Sequence, residues 1–306
     1  MRVTQTSLSD RALAAIQQGL ARIAKSQSQL ASGRRIEVPS DDPAGHAAAT
    51  RLGARVAGIE QFKRQADAAR SSMEGASGLL DGLDAIMGRA HELAVQGANG
   101  GLTAADRAAM ATEVNQLLEE AVATGNSSGA DGRYLLGGRQ TLTAPLTVTR
   151  NGAGDITAAT WNPRGVDGAI DVAVAEGVTV QTNLGGTSVL GADADPTFLP
   201  TVLIQLRDAL NTNNQAAVNG TLSSLDTTQS RLSTARAALG SQLTALDRAA
   251  ADNDATEVAT KAALSAVLDA DTASLAVQLS QQQAVYQAAL HAAATAIQPS
   301  LLEFLQ

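Results

Sequence analysis

A serine between glycines is the pattern that most invites a chemical reading: Gly125-Asn126-Ser127-Ser128-Gly129 matches G-x-S-x-G. A nucleophile elbow needs a strand before its serine and a helix after it. Here a helical pattern precedes and strand-like alternation follows, so a catalytic serine is not expected. The histidines, His46, His91 and His291, fall on separate helical segments. None has a second histidine four residues on, the spacing that places two metal ligands on one helix face. Each reads as a helix-surface residue. Asp193-Ala194-Asp195 lacks the repeated oxygen ligands and closing glutamate of a calcium loop, and reads as a turn with a helix cap. The chain has no cysteine, which excludes thiol nucleophiles, disulfides and Cys-ligated zinc. No enzymatic activity, cofactor or metal is expected.

The most distinctive polar cluster is Ser40-Asp41-Asp42, just ahead of Pro43. Short oxygen-bearing side chains accept from the orphan N–H groups of a helix start, and proline fits the first turn. Capping alone accounts for these residues. What remains to be placed is therefore a set of apolar stripes, and they lie at the two ends. Leu13, Ile16, Leu20, Ile23, Gln27 and Leu30 alternate steps of three and four, the seam of a coiled coil, and Gly33 follows in the position of a helix C-cap. From Pro43 a helical pattern runs to about Gln96, with Gly75 to Gly78 as a possible break. Thr103-Ala104-Ala105-Asp106 opens a further helix as a capping box, closed by Gly125.

Between residues 126 and 195 the composition turns to Gly, Thr and Val with alternating polarity. Leu146 to Thr149 and Ile156 to Trp161 flank Asn151-Gly152, a hairpin signal; Ile170 to Val174 and Val178 to Val180 are further strand candidates. Helix then returns through Leu203, Leu206 and Leu210. A second seam, Val218 to Leu246, keeps the period of 3.5, and a last helix from about Thr256 carries Leu264, Leu268, Leu275, Leu279, Tyr286, Leu290 and Ile297. The expected fold is mainly α: an elongated rod of long antiparallel coiled-coil-like helices with a small β-rich insert at its tip. Its expected divisions are residues 1–42, a terminal helix and linker disordered in the monomer; 43–138 and 196–250, the rod; 139–195, the insert; and 251–306, a second terminal helix disordered in the monomer.

Composition agrees with a structural role. Of the 306 residues 44% are hydrophobic but only 2% aromatic, whereas large rings normally dominate ligand pockets. The formal charge of −8 makes neither nucleic acid nor an anionic membrane a natural partner. No run approaches the roughly 18 apolar residues of a membrane span, and the start Met1-Arg2-Val3-Thr4 leads into no apolar core of a cleaved signal. Leu13, Ile16, Leu20 and Ile23 are expected to meet Leu275, Leu279, Tyr286 and Leu290, with Leu30, Leu264, Leu268 and Ile297 extending the contact. The same pairs would also be satisfied inside an internal helical bundle.

Two stretches carry a family resemblance. Leu30-Ala31-Ser32-Gly33-Arg34-Arg35-Ile36 followed by Pro39-Ser40-Asp41-Asp42-Pro43-Ala44-Gly45 resembles the shared N-terminal signature of bacterial flagellins and their junction relatives. Asp131-Gly132-Arg133-Tyr134-Leu135-Leu136-Gly137-Gly138 is similar to a segment of the hook–filament junction branch. Val38 departs from the polar residue of many relatives, and the insert is short for a filament flagellin. The resemblance spans residues 1–138 and 197–306 and omits the insert. It implies a secreted structural protein, exported unfolded through the flagellar type III apparatus. Terminal helices would then build an axial tube at the junction of hook and filament, as a homo-oligomer. Its implied partners are another hook-associated junction protein, flagellin and an export chaperone. A short filament flagellin is the alternative, and a non-flagellar coiled-coil scaffold a remote one. The loop of Ser40, Asp41 and Asp42 would belong to a subunit contact.

Overall fold

Alanine-rich stretches with apolar residues every three to four positions fold as helix, and the computed structural model describes the chain from residue 5 to 297 and its side chains from residue 10 to 294. The helices are α1 (Gln5–Ser32), α2 (Pro43–Gly97), α3 (Ala104–Gly125), α4 (Gly186–Leu190), α5 (Leu199–Asn211), α6 (Gln215–Leu268) and α7 (Thr272–Ile297). Strands β1 (Leu146–Arg150), β2 (Ile156–Trp161), β3 (Asp171–Ala175) and β4 (Val178–Gln181) form two antiparallel hairpins, β1 with β2 and β3 with β4. The α2 helix is unbroken at Gly75 to Gly78. By contrast, the last helical stretch divides at Asp269-Ala270-Asp271, where Asp271 Oδ1 accepts from the N–H groups of Ala273 and Ser274 at 3.0 and 3.1 Å and starts α7. This is an N-cap inside a run that is otherwise helical throughout.

The contacts divide the chain into two units. In the larger, residues 59–255, Met73, Leu80, Leu83 and Leu93 of α2 share one core with Leu118 of α3, Leu203 and Leu206 of α5, and Leu225 and Leu239 of α6. Ion pairs flank that core, with Lys63 on Asp254 at 2.7 Å and Arg236 on Asp81 at 2.6 Å. The Thr103–Asp106 capping box forms as the spacing predicts. The insert is tied to the helices through Trp161, whose indole N–H donates to Gly191 O at 2.8 Å while its ring tilts against Phe198 at a centroid distance of 5.4 Å. Asn126, at the end of α3, grips Leu146 at both its N–H and its carbonyl.

The smaller unit comprises residues 1–58 and 256–306, and its main packing is α1 against α7. Ser26 donates to Gln282 at 3.0 Å and Gly19 lies under the Tyr286 ring, so the two helices run antiparallel.

Candidate functional site

The α1–α7 pair brings the predicted stripes together, but in a register the sequence did not indicate. On α1 the inward positions are Ala12, Ile16, Gly19, Ile23 and Ser26; on α7 they are Leu275, Leu279, Gln282, Tyr286, Ala289 and Ala293. Both follow steps of three and four, yet every second member on α1 is one residue earlier than the leucine seam. The reason is close approach: a Cβ on Gly19 would stand 3.2 Å from Tyr286, so a bulkier residue there would push the helices apart. The seam mixes Ala12, Gly19, Ser26, Ala289 and Ala293 with Ile16, Ile23, Leu275, Leu279 and Tyr286, and Leu13 and Leu20 remain outside it. Leu13 is 56% and Leu20 54% exposed, with Val277, Val285 and Leu290 exposed on α7. Leu30 also lies at the surface, Leu264 and Leu268 are half-buried near the end of α6, and the Ile297 side chain falls outside the described residues. The outer face of α7 is unusual in a second way: its 26 residues include no Asp, Glu, Lys or Arg.

At the other end of α1, residues 33–45 form an elbow. Gly33 takes a φ of +69° and the chain turns through Arg34, Arg35 and the exposed Pro39 and Ser40. Three carboxylates organise the turn. Ser32 and Ser28 donate to Glu37 at 2.6 and 2.8 Å, which holds that carboxyl below its usual range. Lys25 lies 2.6 Å from Asp41, and Asp41 also accepts from the N–H groups of Glu37 and Val38 at 3.1 and 3.2 Å. The lysine contact, followed by those N–H groups, lowers the Asp41 pKa to about 2. Asp42 accepts from Gly45 N at 2.9 Å, the N-cap bond of α2, and this contact, together with Arg35, holds its carboxyl low. A Cβ at Gly45 would meet the ends of the Asp42 and Ile36 side chains, which would have to shift to admit it.

The motif residues Gly132, Arg133 and Tyr134 lie in the larger unit. There Arg133 N donates to the Asp131 side chain and Tyr134 N to Thr141 O, and the neighbouring Leu136 is fully buried. Ser127 and its glycines follow α3 directly, with Asn126 as its C-cap; the strand that a nucleophile elbow requires does not precede them. Asp195 binds the N–H and hydroxyl of Thr197, a turn contact. Lys25, Ser28, Arg35 and Glu37 were not singled out by sequence. Their partners lie across turns or on α6, and only the Asp-x-Asp-Thr string at residues 269–272 signalled anything locally.

Residues 3–141 match the model of the bacterial flagellin N-terminal helical region. The chain is 25% identical over 302 residues to flagellar hook-associated protein 3 of Salmonella typhimurium, covering 94% of each chain. It is 35% identical over 100 residues to the flagellar filament 41 kDa core protein of Borreliella burgdorferi, a match that spans 33% of this chain and 30% of that protein's length. Among solved structures, the flagellar junction protein FlgL of Legionella pneumophila superposes with a TM-score of 0.57 at 17% identity, over 72% of this chain and 99% of that one. Residues 3–141 thus match the flagellin N-terminal helical region, and the chain resembles a flagellar hook-associated protein in sequence along its length and a flagellar junction protein in fold over most of it.

Proposed function

We propose that this chain is a structural axial subunit of the bacterial flagellum that joins hook to filament by self-association. The observation that carries this reading is the α1–α7 pair, where Leu13, Leu20, Val277, Val285 and Leu290 stand exposed and α7 carries no charged residue. A water-facing helix surface is ordinarily charged, and large aliphatic groups left exposed on such a helix point to a surface that other chains cover. The similarity to a hook-associated protein over 94% of both chains supports the junction in particular.

On this reading the chain acts without catalysis, outside the cell. One end of its ring stacks on a hook-side junction protein and the other templates flagellin. Its terminal helices, α1 and α7, pair only weakly in the free chain and become firmly ordered on assembly, so their ordering entropy is met only where many contacts form at once. An export chaperone covers them until transit through the type III apparatus, and the insert at 139–195 faces outward.

Deletion of the gene tests the assignment. Cells should keep their hooks and release unpolymerised flagellin into the medium. Hooks bearing short filaments, or flagellin that is absent from both cell and medium, would identify a filament subunit instead.

A further inference from the structure

The elbow after α1 and the break before α7 meet in one small set of contacts, none of which is needed to form either helix. Ala270 N donates to Gly33 O at 2.9 Å and Arg35 N donates to Leu268 O at 2.7 Å, a bridge that sets Arg34 opposite Asp269. The Arg35 guanidinium donates to Val267 O at 2.9 Å, one of the carbonyls left without an intrahelical partner at the end of α6. It also reaches Asp42 at 3.3 Å, the residue that caps α2. A single side chain, 232 positions from Val267, thus joins the end of α6 to the start of α2.

Both terminal helices leave from this bridge, α1 ending at Ser32 and α7 beginning at Thr272. Within the seam, register is marked by Gly19 beneath Tyr286 and Ser26 on Gln282; elsewhere α7 offers alanine at many positions, so these two contacts are all that opposes a slip by one turn. We infer that Arg35 is a positioning residue that reinforces the register of α1 on α7, so that the exposed aliphatic groups of the two helices keep the same relative positions. The inference rests on the assembly reading above, since a reproducible face is what an ordered ring requires.

The experiment uses the full chain, whose lack of cysteine makes introduced thiols the only ones present. A short thiol-reactive cross-linker traps the paired state however rarely it forms, so the ratio of two products reads register alone. One variant carries Ser26→Cys with Gln282→Cys, the in-register pair; the other carries Ser26→Cys with Gln278→Cys, one turn away. With Arg35 present, the in-register product should exceed the other by about tenfold, the selectivity expected when a few net hydrogen bonds separate the registers. Arg35→Ala should bring the ratio closer to one. Arg35→Lys, which keeps the charge beside Asp42 but loses the planar fork, should fall between. Loss of stability alone would lower both yields without changing their ratio, and the fluorescence of Trp161 in the larger unit should stay the same in all variants. An unchanged ratio in Arg35→Ala, or a ratio near one with Arg35 intact, would overturn the inference. The deletion phenotype has no bearing on this ratio, so the two proposals can fail separately.

Discussion

Arg107 illustrates how a residue that reads as surface in the sequence becomes interior in the fold. It follows the capping Asp106 in the first turn of α3 and is only 4% exposed. Its guanidinium donates to Gly97 O at 2.9 Å, Asn99 O at 2.7 Å and Leu102 O at 3.2 Å, and to the Asn213 side chain. These are the carbonyls that end α2 and form the turn into α3, where the helix dipole favours a cation. Arg107→Ala removes this donor from the buried Gly97 carbonyl and should cost about 1–3 kcal/mol. Urea unfolding followed by Trp161 fluorescence should show the midpoint fall at an unchanged slope; an unshifted midpoint would mean that water replaces the guanidinium without penalty. Backbone carbonyls carry no mark in a sequence, which is why the capping box at Thr103 could be read in advance and this contact could not.

The elbow is the element whose chemistry depends on pH. Asp41 has a pKa of about 2 in the folded chain, below the ordinary value near 3.9, and Glu37 is lowered as well. A carboxyl whose folded pKa is depressed stabilises the fold above its unfolded pKa, and that contribution disappears as pH falls through the folded value. The elbow should therefore be insensitive to pH above about 5 and loosen progressively between about pH 4 and 2. Carboxyl chemical shifts across this range should give an Asp41 midpoint near 2 that rises in Lys25→Met. An equal midpoint in both proteins would show that Lys25 does not hold the carboxylate. The elements themselves were largely readable: the 3–4 spacing marked α1, Asn151-Gly152 marked the first hairpin, and Thr103 with Asp106 marked the start of α3. Register was not. The leucines at 13 and 20 outweigh Gly19 in any apolar count, yet closeness of approach, set by Gly19 beneath Tyr286, decides which face turns inward.

At the scale of the molecule, a β-rich insert between two helical ends was legible from composition alone, because Gly, Thr and Val concentrate at residues 126–195. The division of the last helical stretch at 269–271 was missed, since its cap is three residues within an uninterrupted apolar period, and the Gly33 and Arg35 contacts that stabilise it come from the opposite end of the chain. Long-range backbone pairing leaves no trace in local periodicity. The candidate interface was legible in part: the terminal helices were identified, whereas which of their residues turn inward required the packed pair. That packing leaves Leu20 and Val285 exposed and Leu279 in the seam, so the proposed interface falls on the first two more than on the third.

Thiol labelling tests this surface directly. Leu20→Cys and Val285→Cys each introduce the chain's only thiol at an exposed position of the pair. Both should react rapidly with a maleimide in the free chain and be protected in flagella isolated from complemented cells, whereas Leu142→Cys, at a position 81% exposed in the larger unit, serves as the accessible reference. Equal labelling of Leu20→Cys and Val285→Cys in free and assembled protein would show that no other chain covers these positions.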